Sequence, residues 1–320
     1  MFFQKLTTYD RHRVFKNMIG PYVAILIAQH LNLEYPYSAA TICILSLEST
    51  RKASFRSSLE RVLAASFGLF LSSLIIKLSG FNPISLAIFT AIFMPLCIRF
   101  NLMQGFFTNI VLATHFLLDE NISLIFVLDQ FYLLLVGVLC AIISNLYMPS
   151  QNNEILSTLD EVDTIMKDII LDFSKTLKYK SVSLAQDELF ESLKSKLHDC
   201  KLLVEMEKDN KIFYKKLAIA ENYSIKHSEY LTLLKIRENF DKFSNNSSSS
   251  LELSSILRDL ATLSSTEYTY NMLLKRIKRL EVKFKNEFSN QTSDFENDAS
   301  LFQIIENIKT LIELKKSNIL

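Results

Sequence analysis

Residues 59–148 decide the fold, because they carry four long apolar runs in close succession. The runs read VLAASFGLFLSSLII (62–76), LSGFNPISLAIFTAIFMPLCI (78–98), FNLMQGFFTNIVLATHFLL (100–118) and QFYLLLVGVLCAIISNLYMPSQNN (130–153). They contain 15, 21, 19 and 24 residues between ionised side chains. Roughly 20 apolar residues in a helix cross a bilayer core of about 30 Å. We therefore predict membrane spans and a function performed in or across a membrane.

The composition divides the chain into two halves. All five Gly and all five Pro lie within residues 1–149. Residues 1–150 hold 10 Lys and Arg against 7 Asp and Glu, whereas residues 151–320 hold 25 against 27. We predict a transmembrane domain at 1–150 and a helical domain at 151–320. Neither half is basic enough to indicate a nucleic-acid partner.

Two shorter apolar runs, 18–33 and 37–47, precede the four long ones and bring the predicted number of spans to six. A secretory signal is the alternative for the first run. No small-residue cleavage site follows it, however, so a retained span is favoured. Spans this short cross a bilayer only by thinning it, by snorkelling or by packing against longer neighbours.

The predicted orientation follows from the Lys and Arg residues of the connecting segments. Segments 1–17, 48–61 and 99–104 carry nine of them, whereas the opposite side carries only Lys77. Lys and Arg accumulate on the cytoplasmic side of membrane proteins. We therefore predict a multi-pass protein of the cell membrane with both termini in the cytoplasm.

The polar half shows the apolar spacing of three and four residues that is typical of amphipathic helices. The series are Leu159, Val162, Met166, Ile169, Phe173; Phe190, Leu193, Leu197, Cys200, Val204; Leu273, Ile277, Leu280, Phe284; and Leu301, Ile305, Ile308, Ile312. Breaks are predicted at 244–250, which contains only Ser and Asn, and at 294–300. The predicted fold is all-α, with six transmembrane helices followed by a cytoplasmic bundle of five or six helices.

No enzymatic motif is present in the sequence. Every Gly is isolated and none precedes a Lys, which excludes a glycine-rich phosphate loop. The five His lack ligand spacing, and the four Cys are isolated, three of them inside apolar runs. We expect no catalytic activity, no cofactor and no metal site.

Basic residues cluster before and at the start of the third predicted span. Arg51, Lys52 and Arg56 lie in the predicted inner loop, and Arg61 opens the span. One interpretation is a cationic cytoplasmic mouth that gathers anions, with Arg61 the deepest member. The alternative is that these charges only hold the loop inside.

Ionisable residues near the outer ends of the predicted spans are candidates for proton coupling. If the last span begins near residue 122, Asp129 lies inside the membrane and is a proton-relay candidate. The favoured alternative places Asp129 at the outer surface. His115 and His30 are able to titrate during a transport cycle, although an interfacial His is the commoner case.

Neutral polar residues interrupt the apolar runs. Asn82 opens the fourth span before Pro83, Asn109 follows Thr108 in the fifth span, and Asn145 ends the sixth. Such groups either line a path or form hydrogen bonds between helices, and the second interpretation is favoured.

The segments LSLESTRKAS (45–54) and RVLAASFG (61–68) resemble the aromatic acid exporter family, member 1 type, of the fusaric-acid-resistance-like superfamily. In that family a segment with Thr, Lys or Arg, and then Ser precedes a span that opens with Arg and then Gly-Thr-x-x-Gly. The matching positions here are Thr50, Arg51, Ser54, Arg61 and Gly68, whereas Ala64 and Ala65 replace the first Gly and the Thr. GFNP (80–83) and NLYM (145–148) are also similar.

The resemblance implies export of aromatic carboxylic acids or related organic anions. It also implies a homodimer or higher homo-oligomer in the lipid bilayer, with six spans per chain as half of a transport unit. Plant malate-permeable anion channels are similar in layout. With the polar residues above, the substrate-path candidates are Arg61, Arg51, Thr50, Ser54, Asn82 and Asn109, and the proton-coupling candidates are Asp129, His115 and His30. The alternative function is a membrane-anchored regulatory or scaffolding protein whose helical bundle binds a partner.

Overall fold

A computed structural model describes residues 8–179, 185–211, 218–240, 248–288 and 295–317. These residues form twelve α-helices and contain no strand, so the all-α prediction is confirmed. They separate into two compact units. The described part of the first unit consists of residues 8–151 together with 206–211, and the remaining described residues form the second.

Six helices and the end of a later one form the first unit. They are α1 (Thr8–His30), α2 (Pro36–Ser46), α3 (Arg51–Ser79), α4 (Pro83–Arg99), α5 (Met103–Leu118) and α6 (Leu124–Leu146). Side-chain caps fix three of the starts, because they satisfy backbone N–H groups that have no partner within the helix. The Thr50, Asn82 and Ser123 side chains accept hydrogen bonds from the N–H groups of Ala53, Ser85 and Phe126, respectively.

Two predicted helix boundaries in the first unit were wrong. Helix α1 begins at Thr8, ten residues before the apolar run at 18–33, and α3 begins at Arg51 instead of near Arg61. Helix α6 begins at Leu124, close to the start near residue 122 that was one of the alternatives, and Asp129 lies in its second turn. Charged residues mark where an apolar run ends, but Lys and Arg are good helix formers and continue a helix past that point.

Helices α3 and α6 are long and apolar enough to cross a membrane, whereas the apolar helices α2, α4 and α5 are shorter, with 11, 17 and 16 residues. The outer surface of this unit is apolar, as Leu78, Ile84 and Ile125 are all at least 67% exposed. Its interior contains many buried polar side chains, among them Ser54, Ser57, Ser58, Arg61, Ser72, Thr108, Asn109, His115, Gln130 and Asn145. Apolar surface outside and polar groups between helices are the arrangement that suits a lipid environment.

Helices α3 and α5 approach closely where Gly105 faces Ala64. A Cβ on Gly105 would overlap the Ala64 methyl group and lie 3.2 Å from the Cα of Arg61. Ala64 stands where the family pattern has its first Gly, so here the smallest residue of the contact lies on the opposite helix.

We expect Gly105→Ala to destabilise the first unit by about 1–3 kcal/mol, because the added methyl group forces the two backbones apart. The double variant Ala64→Gly/Gly105→Ala moves the methyl group to the other helix and should recover most of that loss. Thermal unfolding of the purified protein in detergent measures both effects. A double variant no more stable than Gly105→Ala would show that this contact does not limit the packing.

The second unit contains six helices, of which the first continues the chain directly after the first unit. They are α7 (Asn152–Tyr179), α8 (Ala185–Asn210, up to residue 205), α9 (Ala218–Phe240), α10 (Ser248–Thr262), α11 (Glu267–Phe288) and α12 (Phe295–Ser317). Every residue of the four predicted apolar series is buried. The helical periodicity therefore identified the core of this unit correctly.

The two predicted breaks were wrong over the residues that the structure describes. Ser248 begins α10, and Ser249 and Ser250 are fully buried instead of forming a linker. Phe295 begins α12, so residues 295–300 are helical. Positions 244–247 and 294 lie outside the described residues. Serine is only mildly unfavourable in a helix, and tertiary packing overrides that preference here.

Three buried charged side chains and the partly exposed Asp163 form a network in the second unit. Glu229 is fully buried, and its carboxylate lies 3.3 Å from Lys226 Nζ and 2.8 Å from Lys315 Nζ. Lys226 also pairs with Asp163 at 2.6 Å. Burial lowers the pKa of Lys226, but the nearby carboxylates of Glu229 and Asp163 outweigh it, so that the pKa is raised. The ion pairs of Lys226 therefore stabilise the folded second unit fully at neutral pH. This stabilisation is lost only as the pH rises through the raised pKa of Lys226.

We expect Glu229→Gln to destabilise the second unit by about 3–5 kcal/mol, because two buried ammonium groups lose a charged partner. Hydrogen exchange of α9 and α12 in the full chain should become at least about a hundredfold faster. The control is Glu205→Gln, which removes an exposed pair to Lys201 at 3.9 Å and should change little. Equal exchange in the two variants would contradict a stabilising network.

Candidate functional site

The first unit contains a cavity of about 390 Å³ beside the first turns of α3 and the end of α6. Residues 209–211 at the end of α8 complete its wall. The lining side chains are Arg51, Lys52, Ser54, Phe55, Ile142, Asn145, Leu146, Asp209 and Lys211. Three cations and one carboxylate therefore surround a largely apolar interior.

The cations of this cavity differ in what they contact. Lys52 pairs with Asp209 at 3.2 Å, and Lys211 lies 3.6 Å from the buried carboxylate of Glu207. The Nε atom of Arg51 is buried and has no hydrogen-bond partner among the residues that the structure describes. A buried guanidinium donor without a partner is costly unless a ligand or water occupies it. Arg51 also lines the cavity and brings a guanidinium charge to its wall.

A buried ammonium group supports the polar side of the cavity. Lys16 is 5% exposed and donates to Asn145 Oδ1 at 2.6 Å and to the Glu48 carbonyl oxygen at 2.8 Å. The Asn145 amide nitrogen donates to the same carbonyl at 3.3 Å. Lys16 thereby fixes the orientation of Asn145 and adds positive charge behind the cavity wall.

Only part of the predicted substrate path meets at this cavity. Arg51 and Ser54 line it, and the Ser54 hydroxyl group donates to the Ser46 carbonyl oxygen at 3.0 Å. Thr50 caps α3 through its side chain. Sequence reasoning missed Lys16 and the lining residues Phe55, Ile142, Leu146, Asp209 and Lys211. The last two are more than 150 residues from Arg51 along the chain, and no local pattern could have placed them there.

Arg61 lies between helices and not in an open mouth. Its guanidinium group is buried and donates to the carbonyl oxygens of Leu45 and Gln104 and, at 2.8 Å, to the Thr108 hydroxyl group. No carboxylate of the described residues forms an ion pair with it. Arg61 therefore joins α2, α3 and α5, and its hydrogen-bond acceptors are neutral oxygen atoms.

The two Asn candidates bind backbone groups close to them in the chain. Asn82 caps α4 and donates to the Ser79 carbonyl oxygen at 2.6 Å. Asn109 donates to the Gly105 carbonyl oxygen at 2.8 Å, and its buried Oδ1 atom has no partner in the described part of the chain. Gly68 leaves the space that the Asn109 side chain fills.

A second polar cluster lies at the ends of α5 and α6 that are remote from the cavity. The buried His115 ring contacts Ser38 Oγ at 3.0 Å through Nε2 and Gln130 Oε1 at 2.5 Å through Nδ1. The Tyr35 ring stacks on His115 at 4.1 Å, and its hydroxyl group donates to Asp119 at 2.8 Å. Burial, followed by the hydrogen bond to the Asp119 carboxylate, raises the pKa of Tyr35 to about 12. The Tyr35 hydroxyl group therefore remains a hydrogen-bond donor at neutral pH.

Asp129 belongs to this cluster, whereas His30 does not contact it in the described structure. The Asp129 carboxylate accepts a hydrogen bond from the Glu34 backbone N–H at 3.0 Å. Burial, followed by the Asp119 and Asp129 carboxylates, raises the pKa of Glu34. His30 is exposed at the end of α1. Two of the three predicted proton-coupling residues are thus brought together.

Comparison with known proteins bears on both units. The family model "Aromatic acid exporter family member 1" matches residues 11–148. A model of the aromatic acid exporter C-terminal domain matches residues 152–316. The chain belongs to the aromatic acid exporter family. This confirms the resemblance seen in the sequence, and membership in an exporter family suggests a membrane transporter.

One relative of this exporter-family chain is the uncharacterized protein YqjA of Bacillus subtilis (strain 168). The two are 29% identical over 152 residues, which is 48% of this chain. The chain spans about half of that relative, because the match covers 47% of its length. Among the described residues, no group of three His, Cys, Asp or Glu side chains is placed to hold a metal ion.

Proposed function

We propose that this chain exports aromatic carboxylates or related organic anions across the cell membrane, and that the cavity beside Arg51 is the inner binding site. The carrying observation is that the cationic side chain of Arg51 lines the same cavity as an apolar wall of Phe55, Ile142 and Leu146. An aromatic acid presents the complementary pair of groups, a carboxylate and an apolar ring. The cavity volume of about 390 Å³ suits a small molecule.

The proposed topology places α1 to α6 in the bilayer and the cavity at its cytoplasmic side. It rests on the apolar outer surface of the first unit and on the nine Lys and Arg of the predicted inner segments. Both termini and the helical domain at 151–320 would then be cytoplasmic. A membrane potential that is negative inside favours export of an anion by about 2.3 kcal/mol per charge per 100 mV.

The other predicted residues have distinct roles in this proposal. Arg61 is a positioning residue that holds three helices together. Asn82 shapes the path by capping the start of α4, and Asn109 shapes it by filling the space beside Gly68. His115 and Asp129 form an outer site that exchanges protons. A homodimer, with the path along the interface between two first units, provides the continuous route. The apolar outer surface of the first unit can be covered by lipid or by a second copy of the chain.

A single fluorescent reporter tests the binding site, because the chain contains no Trp. Phe55→Trp places the indole at the cavity, and Phe70→Trp is a matched control 15 residues along α3, about 22 Å away. The two replaced side chains are similarly exposed, at 63% and 64%. We expect saturable quenching by 4-hydroxybenzoate at Phe55→Trp only, and weaker effects of 4-hydroxybenzamide and acetate. Equal responses of both reporters, or of acid and amide, would contradict the proposed site.

A further inference from the structure

The end of α8 contributes a carboxylate to the cavity. Asp209 lines the cavity, and its carboxylate lies 3.2 Å from the ammonium group of Lys52. Lys52 is the more exposed of the two lining lysines that form ion pairs. The side chains of Lys52 and Asp209 are 74% and 39% exposed. An exposed ion pair of this kind contributes only about 0–1 kcal/mol. The contact is therefore weak enough for another carboxylate to replace it.

Neighbouring residues of the same helix end are held far more firmly. Glu207 is 3% exposed, and its two carboxylate oxygens accept from Ser150 Oγ at 3.0 Å and from the Gln151 N–H at 3.1 Å. Asn210 Oδ1 accepts from the Arg51 backbone N–H at 3.0 Å. These contacts fix Asp209 at the cavity wall even when its own ion pair opens.

We propose that Asp209 is a built-in competitor of the substrate carboxylate. It occupies Lys52 in the empty cavity, and an incoming aromatic acid must displace it before Lys52 and Arg51 can both bind the substrate. This inference rests on the proposed function and adds to it a way in which substrate binding is regulated. Asp209 sets the substrate concentration at which the site fills, because the free energy of breaking its ion pair is subtracted from that of binding.

The direct test is Asp209→Asn, read through the Phe55→Trp reporter with 4-hydroxybenzoate as the probe. Removing the competitor and its repulsion of the anion should tighten binding about fivefold at low ionic strength. The gain should shrink toward zero in 1 M NaCl, where the Debye length is about 3 Å. Neutral 4-hydroxybenzamide should show no gain. A merely structural role of Asp209 would not produce this dependence on salt and on ligand charge.

Two further variants make the result decisive. Asp209→Ser removes the same charge with a smaller side chain and should reproduce the gain, which guards against an effect of misfolding in one variant. Glu205→Gln removes a charge one turn earlier on α8, where Glu205 pairs only weakly with Lys201 at 3.9 Å, and should leave binding unchanged. Unchanged or weaker binding in both Asp209 variants, or an equal gain in Glu205→Gln, would overturn the competitor role.

The failure of the proposed function has a different signature. If the wild-type reporter protein binds no aromatic acid, the binding site and the competitor role both fall. If the wild type binds 4-hydroxybenzoate but the Asp209 variants bind no more tightly, only the competitor role falls.

Discussion

Arg51→Gln should weaken the binding of 4-hydroxybenzoate about tenfold to a hundredfold. Hydrogen bonds to charged groups contribute about 1.5–3 kcal/mol, and the buried Nε atom of Arg51 has no partner among the described residues. The N–H group that Asn210 caps belongs to the backbone of Arg51, so the substitution leaves that contact in place. Arg51→Lys should recover only part of the affinity, because Lys keeps the charge but loses the planar fork.

The matched control for Arg51 is Arg56→Gln. Arg56 lies on the same helix, is 78% exposed at its side chain and pairs with Glu60 at 2.9 Å, and it does not line the cavity. The two variants remove the same charge from the same end of α3. A comparable loss of affinity in both would show that the overall positive field, and not the Arg51 donor, attracts the anion.

Arg61→Leu should destabilise the first unit by about 2–4 kcal/mol. The carbonyl oxygen of Leu45 lies in the last turn of α2, where it has no partner within the helix, and Arg61 supplies its donor. Removing Arg61 also breaks its contacts with Gln104 and Thr108, which hold α5 against α3. Arg61→Lys should restore stability only partly, because a single ammonium nitrogen replaces the two guanidinium nitrogens that separately contact α5 and α2.

Two measurements, thermal unfolding in detergent and flux per folded molecule, distinguish a role of Arg61 in holding the helices together from a role of its charge in transport. A positioning residue predicts that the stability and the flux fall together in both variants. If Arg61→Lys instead unfolds like Arg61→Leu but transports at the wild-type rate, then the charge of Arg61, and not its placement of the helices, serves transport.

The fold could be predicted from the sequence wherever one periodic signal dominates. The spacing of Leu193, Leu197 and Cys200 identified a buried helix face, because that face is fixed by local geometry. The helix starts were harder to predict. The basic residues from Arg51 to Arg61 read as a loop, but the Thr50 cap begins a helix there and the helix continues through them.

The site was predictable only in the part that is local in sequence. Arg51 and Ser54 belong to the short segment 50–54 on which the resemblance rests, and both line the cavity. Asp209 and Lys211 join them through tertiary contacts that leave no trace in local spacing. Arg61 shows what sequence position alone leaves open, because a cation at the start of an apolar run is compatible with an open mouth or with a buried contact between helices, and its guanidinium group is buried.

The most direct test of export is the flux of labelled 4-hydroxybenzoate through the purified full chain in liposomes, with voltage and pH gradients imposed separately. We expect saturable flux in the wild type that responds to at least one gradient, and strongly reduced flux in Arg51→Gln but not in Arg56→Gln. An absence of flux for a panel of aromatic and aliphatic acids would contradict export of organic anions. It would favour a membrane-anchored regulatory protein whose helical domain binds a partner.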